Sequence, residues 1–208
     1  MTRIRVTLIA DGSSDRVLTR IVEWVLREAQ FVPTVQFATK GILPRHPDTL
    51  RKYADLAVEL YPADVLFVHR DSEGVSYDDR AFEIQQALAG HATSHVCVIP
   101  VRMTEAWFLF DEAALRFVAG NPNGRVALDL PLDKQIEGLP SPKTVLHQAL
   151  LLATEASGRK LAKFDTAKAY HQLAERISSF EPLRKLPAFQ QFEIAARAVC
   201  AAAVVTSS

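Results

Sequence analysis

An excess of charge of either sign is absent from this sequence. Its 24 basic and 24 acidic residues give a formal net charge of zero at pH 7. Proteins that bind duplex nucleic acid tightly through its phosphates usually carry a basic excess or a basic face, so the overall charge argues against tight non-specific binding. One local excess exists in segment 141–185, which has eight basic and four acidic residues. A nucleic-acid contact and a solvated helical face would both account for it.

Cysteine is nearly absent as well. Cys97 and Cys200 lie in separate apolar runs, and the sequence has no CxxC pair or Cys/His spacing of the kind that binds zinc. We therefore expect two buried thiols and no structural zinc site.

Long apolar runs are missing too. The most apolar segment, 195–205, is interrupted by Arg197 and is too short to span a bilayer. The N-terminal sequence MTRIRVTLIADG has too short an apolar stretch for a signal peptide. Hydrophobic residues make up 49% of the chain and charged residues 23%, the balance of a globular protein. We expect a soluble cytoplasmic protein without membrane contact.

Several catalytic motifs are also lacking. His69-Arg70-Asp71 resembles a kinase catalytic loop, but no asparagine follows at the required offset, and there is no DFG triplet. No GxSxG motif is present. The turn at Gly12–Ser14 lacks the lysine and the glycine spacing of a P-loop, although its amides could contact a phosphate.

What the first hundred residues do contain is an alternation of strand and helix patterns. Strands are predicted at 4–10, 32–39, 65–68 and 95–101, with helices after Asp15 and over 48–60 and 78–89. The fully apolar run at 65–68 is typical of a strand buried on both faces of a parallel sheet. This order predicts βαβ crossovers and an α/β fold with an open, mostly parallel sheet flanked by helices.

The second half of the chain has a helical pattern. Helices are predicted over 105–118, 143–156, 165–178 and 188–204, with an irregular loop over 128–142 and Gly158 as a helix stop. We expect one domain over residues 1–208, with an α/β core at 1–118 and a loop and helical extension at 119–208.

Acidic residues follow three of the predicted strands. Asp11 comes after the first strand, Asp71 and Glu73 after the third, and Glu105 shortly after the fourth. Ligands of open α/β sheets bind beyond the carboxyl ends of the strands, where these residues should lie. Mg²⁺ and Mn²⁺ prefer carboxylate oxygens and often need only one or two of them plus substrate phosphate. The pattern predicts a Mg²⁺ or Mn²⁺ site at this edge.

Each of these acids also has a structural explanation. Asp11 and Asp71 could form turns, and Glu105 could stabilise the first turn of a helix. Asp15 is expected only to favour a helix N-terminus in the same way. Singly, such roles are commoner than catalysis, whereas the shared placement of the strand ends favours a functional site.

Two groups of residues resemble a known family. Asp11-Gly12-x-x-Asp15, Asp71-x-Glu73 and Glu105 are similar to the three signatures of TOPRIM domains, the fold of many metal-dependent nucleases. The segments HRDSEG (69–74) and VIPVRMTEAWFL (98–109) more closely resemble the TOPRIM-like bacterial family catalogued as domain of unknown function 4276, as do 121–124, 142–143 and 186–189. The resemblance covers most of the chain. TOPRIM domains usually have glutamate where this chain has Asp11, and aspartate where it has Glu73.

The resemblance implies roles for these residues. Asp11 would be the general acid or base, Asp71 a catalytic metal ligand, Glu73 a second ligand, and Glu105 a further ligand or its orienter. Arg102 and Lys143 are candidate phosphate contacts. The implied function is metal-dependent cleavage of DNA or RNA phosphodiesters in a bacterium, with an ATPase as a possible partner and, by analogy, defence against foreign DNA as the setting. The alternative is a non-catalytic partner subunit that binds an ATPase or nucleic acid.

Overall fold

A computed structural model describes residues 1–41, 43 and 49–206. The strands are β1 (Thr2–Ala10), β2 (Phe31–Thr39), β3 (Val65–His69) and β4 (Ser94–Val98). The α-helices are α1 (Leu18–Glu28), α2 (Leu50–Leu60), α3 (Tyr77–Ala87), α4 (Glu112–Val118), α5 (Pro142–Ala153), α6 (Gly158–Ala162), α7 (Thr166–Arg176) and α8 (Pro187–Thr206). Short 3-10 turns lie at Ser13–Val17, Thr104–Phe108, Asp133–Gly138 and Glu181–Lys185.

The four strands form one parallel sheet in the order β2-β1-β3-β4. β1 pairs with β2 from Thr2↔Phe31 to Ala10↔Thr39, and with β3 from Val6↔Val65 to Ile9↔Val68. Because β2 and β3 lie on opposite sides of β1, the chain reverses its direction across the sheet at β1. In such sheets the crevice beyond the carboxyl ends at this reversal is the usual ligand site. The predicted open parallel α/β sheet is confirmed.

Helices cover both faces of the sheet. Side chains alternate between the faces along each strand, so Ile9 and Val68 pack with α2 and α3, while Leu8 and Phe67 pack with α1 and α8. The helices that follow residue 118 therefore contribute to the same layer as α1, since α8 contacts β1, β3 and β4.

Aromatic rings connect this layer to the turn after β4. The Trp107 ring lies 5.3 Å from that of Phe189 and 5.8 Å from that of Phe192, centroid to centroid. Phe192 in turn contacts Phe67 of β3 edge-to-face at 6.1 Å. All four side chains are fully buried. The turn at Thr104–Phe108 is thereby held against α8 and the sheet.

The single helix predicted over 105–118 is wrong. The chain forms the 3-10 turn at Thr104–Phe108 and then α4. Asp111 separates the two, because its side chain accepts a hydrogen bond from the Ala114 amide at 2.9 Å and caps α4. Burial of Trp107 and Phe108 holds residues 104–108 in a 3-10 turn, although their sequence pattern predicts an α-helix.

Other predicted boundaries also shift. α5 ends at Ala153, and Glu155 adopts the left-handed conformation with φ 48°, so Gly158 is not its stop; Gly158 instead begins α6. The loop predicted over 128–142 contains the 3-10 turn Asp133–Gly138. The predicted start of the second helix, Asp48, lies outside the described residues, and Thr49 caps α2 by accepting a hydrogen bond from the Lys52 amide.

Among the described residues, one helical segment, Pro187–Val205 of α8, is long and apolar enough by length and composition to cross a membrane. The helix is longer than segment 195–205, the most apolar part of the sequence. In the structure the same segment buries Phe189, Phe192, Ala196 and Cys200 in the core, which is also how the central helix of a folded domain behaves.

We expect Phe192→Ala to lower the free energy of unfolding by about 3–5 kcal/mol, because it removes the ring that joins Trp107 to the sheet and leaves a cavity. Ile194→Ala, on the same helix, should change it by less than about 0.5 kcal/mol, since Ile194 is 69% exposed. Urea denaturation of both variants measures the difference. Equal effects would contradict this account of the core.

Candidate functional site

The carboxyl edge of the sheet carries a cluster of polar side chains that we call the edge site: Asp15, His69, Asp71, Thr104, Glu105 and Tyr170. Asp15 belongs to the turn after β1, His69 ends β3, and Thr104 opens the turn after β4. Since β1 and β3 are neighbours at the reversal of the sheet, their ends meet there. The topology therefore brings together residues that are far apart in the sequence.

His69 is the centre of the cluster. Its Nδ1 lies 2.9 Å from the Val98 carbonyl oxygen, which can only accept, so Nδ1 carries a proton. Nε2 then faces three oxygens: Thr104 Oγ1 at 3.2 Å, Asp71 Oδ1 at 3.5 Å and Asp15 Oδ2 at 3.8 Å. The side chain is only 3% exposed, so solvent does not compete for these contacts. A proton on Nε2 would be shared among the surrounding oxygens.

Asp15 is held by its own turn. Its Oδ2 accepts a hydrogen bond from the Gly12 amide at 3.1 Å, and its side chain is 15% exposed. This backbone contact fixes the carboxylate toward His69. It also gives Asp15 the turn-stabilising role expected from the sequence, so that role and membership of the site coexist in one residue.

Asp71 has a perturbed carboxyl group. Burial raises its pKa from 3.8 to about 6, and the nearby Asp15 and Glu105 carboxylates act in the same direction. His69 and the Thr104 hydroxyl, which donates to Oδ1 at 3.3 Å, partly oppose the rise of the pKa. Asp71 can therefore gain or lose a proton close to neutral pH.

Glu105 is largely buried and makes no ion pair with the described residues, while its carboxylate oxygens keep some contact with solvent. It is 8% exposed, and within the described part of the chain no side chain or amide donates a hydrogen bond to its carboxylate. It lies close enough to Asp71 to raise the pKa of that residue. Buried charges are ordinarily paired or bound to a metal ion.

Tyr170 reaches the cluster from α7, which packs on the turn at Ser13–Val17. It is 5% exposed, and its ring contacts that of Phe108 edge-to-face at 5.3 Å. Burial raises the pKa of its hydroxyl well above the usual value, with Glu105, Asp15 and Asp71 acting in the same direction. The hydroxyl stays protonated over the whole physiological range.

Asp11 is placed differently from the other acids. Its carboxylate pairs with Lys40 at 2.6 Å and with the Arg70 guanidinium at 3.7 Å, and its side chain is 52% exposed. Arg70 also pairs with Glu83, which continues this ion-pair network away from His69. Asp15, four residues later, is the acid after β1 that faces Asp71.

Glu73 and Arg102 belong to two loops that are hydrogen-bonded to each other. The Arg102 amide donates to Ser72 Oγ at 2.7 Å, and the Glu73 amide donates to the Arg102 carbonyl at 3.3 Å. Both residues have positive φ, 49° for Glu73 and 64° for Arg102, which is a strained conformation for side chains of this size. Both side chains are exposed, so Glu73 does not share the burial of Asp71 and Glu105. Lys143 is likewise exposed, in the first turn of α5.

Sequence reasoning found Asp71 and Glu105 but did not assign functional roles to Asp15, His69, Thr104 and Tyr170. Signals existed for two of them, because Asp15 closes the Asp-Gly-x-x-Asp motif and His69 ends a buried strand. No local pattern marks Tyr170. Its neighbours in the site lie far away in the chain, in the turn at Thr104–Phe108 and, about a hundred residues away or further, at Asp71, His69 and Asp15.

The donor set suits a hard cation held mainly by water and phosphate. Over residues 1–41, 43 and 49–206, no three His, Cys, Asp or Glu side chains surround one point as metal ligands. Mg²⁺ commonly takes only one or two carboxylates, which Asp71 and the unpaired Glu105 can provide.

Comparisons of the chain with protein-family models, with curated proteins and with solved structures gave no match. The resemblance to the TOPRIM-like family thus stays a prediction, and the geometry of the edge site has to carry the functional argument.

We expect Asp71→Asn to stabilise the metal-free protein at pH 7.5 by about 1–3 kcal/mol. A carboxyl whose pKa is raised on folding binds its proton more tightly in the folded chain, so stability falls as pH rises from about 4 to about 6. The asparagine variant avoids this loss of stability above pH 4, and at pH 4 itself the substitution should change the stability little. Thermal unfolding in the presence of a chelator measures both.

Asp11→Asn is the matched control, since it removes a carboxylate that is ion-paired and half exposed. It should give no stabilisation at either pH. A lower melting temperature for Asp71→Asn at pH 7.5 would show that Asp71 is not destabilised by its surroundings.

Proposed function

We propose that the protein is a metal-dependent phosphodiesterase whose divalent cation binds at Asp71 and Glu105. The observation that carries this proposal is the placement of Glu105, a largely buried residue that makes no ion pair with the described residues, within electrostatic reach of a second, desolvated carboxyl group. A cation between the two would compensate both charges, whereas His69 and Thr104 offset only part of the rise in the Asp71 pKa.

When bound, such an ion would polarise a phosphoryl oxygen and activate a water molecule. The residues of the chain have complementary tasks. Thr104 orients Asp71 through its hydroxyl, and the Val98 carbonyl fixes the ring of His69. His69 Nε2, between Asp15 and Asp71, is the atom placed to hold and pass on a proton. In this proposal Asp15 and His69 do the proton transfer that the sequence assigned to Asp11.

The choice of phosphodiesters as substrates rests on two supports. The segments 69–74 and 98–109 resemble a TOPRIM-like family, whose domains act on nucleic-acid phosphates. Arg102 is also exposed on the loop that is braced against Ser72, directly beside the residues that follow β3. An exposed guanidinium in a fixed loop suits contact with a phosphate backbone.

The alternative of a non-catalytic partner subunit keeps one observation in its favour. Asp11, the residue to which the resemblance gives the acid/base role, is engaged by Lys40 and Arg70. If the reaction requires an acid at that position, these ion pairs would block it, and the chain would serve as a binding subunit beside an ATPase or nucleic acid.

Metal binding by the two acids can be tested by thermal unfolding in Mg²⁺ and Mn²⁺. A concentration about a hundredfold above the dissociation constant stabilises the folded protein by about 2.7 kcal/mol, which corresponds to roughly 5–10 °C for a chain of this size. We expect Glu105→Gln and Asp71→Asn to abolish this gain, because each removes a proposed ligand. Asp11→Asn should retain it.

Catalysis is tested separately with the same proteins on plasmid DNA and on RNA in Mn²⁺. Wild-type protein and Asp11→Asn should cleave, whereas Glu105→Gln should not, and Asp15→Asn should be at least tenfold slower through loss of proton transfer. Cleavage that is lost in Asp11→Asn but kept in Asp15→Asn would reverse the assignment of the two acids. A metal-induced rise in melting temperature without any cleavage would favour the partner-subunit alternative.

A further inference from the structure

The Tyr170 hydroxyl is a buried hydrogen-bonding group that the described structure leaves unpartnered. Four such side-chain atoms occur among the described residues: Arg80 Nε, Trp107 Nε1, Arg116 Nη1 and Tyr170 Oη. Leaving a buried polar group unpaired costs about 1–3 kcal/mol, so each one needs an explanation.

Three of the four have ordinary explanations. Arg80 and Arg116 each satisfy their other guanidinium nitrogens, with Glu83 and Glu112 among the partners. The Trp107 indole is fixed by the aromatic packing around it. Tyr170 differs from the two arginines, since the hydroxyl is its only polar group, and from Trp107, since its ring packs on Phe108 and the acids of the edge site act on its hydroxyl.

The surroundings of the hydroxyl define what could bind it. It acts as a neutral donor, because burial and the nearby carboxylates keep its pKa high. Glu105, Asp15 and Asp71 act on it electrostatically, but none is within hydrogen-bonding distance. The described residues therefore supply no acceptor for the hydroxyl, and one has to come from a bound ligand or water.

The carboxylates limit the identity of that acceptor. A free anion would be repelled by three acids, and a water molecule on a cation directs its lone pair at the metal and its hydrogens outward. A phosphate oxygen bound to the same cation avoids both problems, since the ion compensates the acids and the oxygen keeps a lone pair for the hydroxyl.

We propose that Tyr170 is a substrate-binding residue that donates a hydrogen bond to a phosphate oxygen held by the cation at Asp71 and Glu105. This inference rests on the proposed function and makes it more specific. It also gives α7 a direct part in the site, so the loop and helical half of the chain contributes a contact to the ligand as well as packing.

Tyr170→Phe tests the inference because it deletes only the hydroxyl. Metal-free, the variant should melt at the wild-type temperature or higher, since an unpaired polar group is lost. Mg²⁺ alone should raise the melting temperature of the variant by as much as it raises that of the wild-type protein. The affinity for inorganic phosphate in saturating Mg²⁺, measured by calorimetric titration, should fall about tenfold or more, as for a lost hydrogen bond to a charged group.

Tyr61→Phe is the control, because Tyr61 follows α2 at the opposite end of the sheet; it should leave all three measurements unchanged. If Tyr170→Phe binds phosphate as tightly as the wild-type protein, and Mg²⁺ still raises its melting temperature, the role of Tyr170 alone would be overturned. If Mg²⁺ does not raise the melting temperature of the wild-type protein, the cation site and, with it, this inference would be overturned.

Discussion

Trp107 packs between Phe189 and Phe192 of α8, and Phe192 packs in turn on Phe67 of the sheet. Thr104 and Glu105 precede Trp107 in the same short turn, so burial of the indole determines where both of them lie. α8 contributes none of the six side chains of the edge site, yet it supplies the rings against which Trp107 packs, while Phe108 of the same turn packs on Tyr170 and Phe180. The position of Glu105 therefore depends on hydrophobic packing against a helix that begins 82 residues later in the chain.

The edge site is electrostatically costly for the folded protein. Burial and two neighbouring carboxylates raise the pKa of Asp71 to about 6, and the largely buried Glu105 makes no ion pair with the described residues. A fold would gain stability by replacing these groups with apolar or neutral ones, so their presence is a local conflict with stability. Such conflicts concentrate at functional sites, where a ligand compensates the charge. The unpaired Tyr170 hydroxyl belongs to the same pattern.

The two acids after β1 illustrate how a short turn separates two environments. Asp11 directly follows the strand and meets Lys40 and Arg70 from the ends of β2 and β3. Asp15 lies in the following 3-10 turn, where a hydrogen bond from the Gly12 amide aims its carboxylate toward His69. Both residues lie in one recognisable motif, and only their contacts distinguish an ion-paired acid from a member of the site.

The sequence by itself determined the class of fold and the region of the site. The alternation of buried strands and amphipathic helices, and the acids at 71 and 105, follow from local periodicity and from the rule that ligands bind at the carboxyl ends of parallel strands. Tertiary structure decided the rest. The burial of Trp107 and Phe108 in the helix predicted over 105–118, the ion pairs of Asp11, and the positions of Asp15 and Tyr170 beside Asp71 all depend on contacts between distant segments. Local patterns carry no information on such contacts, because the side chains become neighbours only after the sheet and its helices have packed.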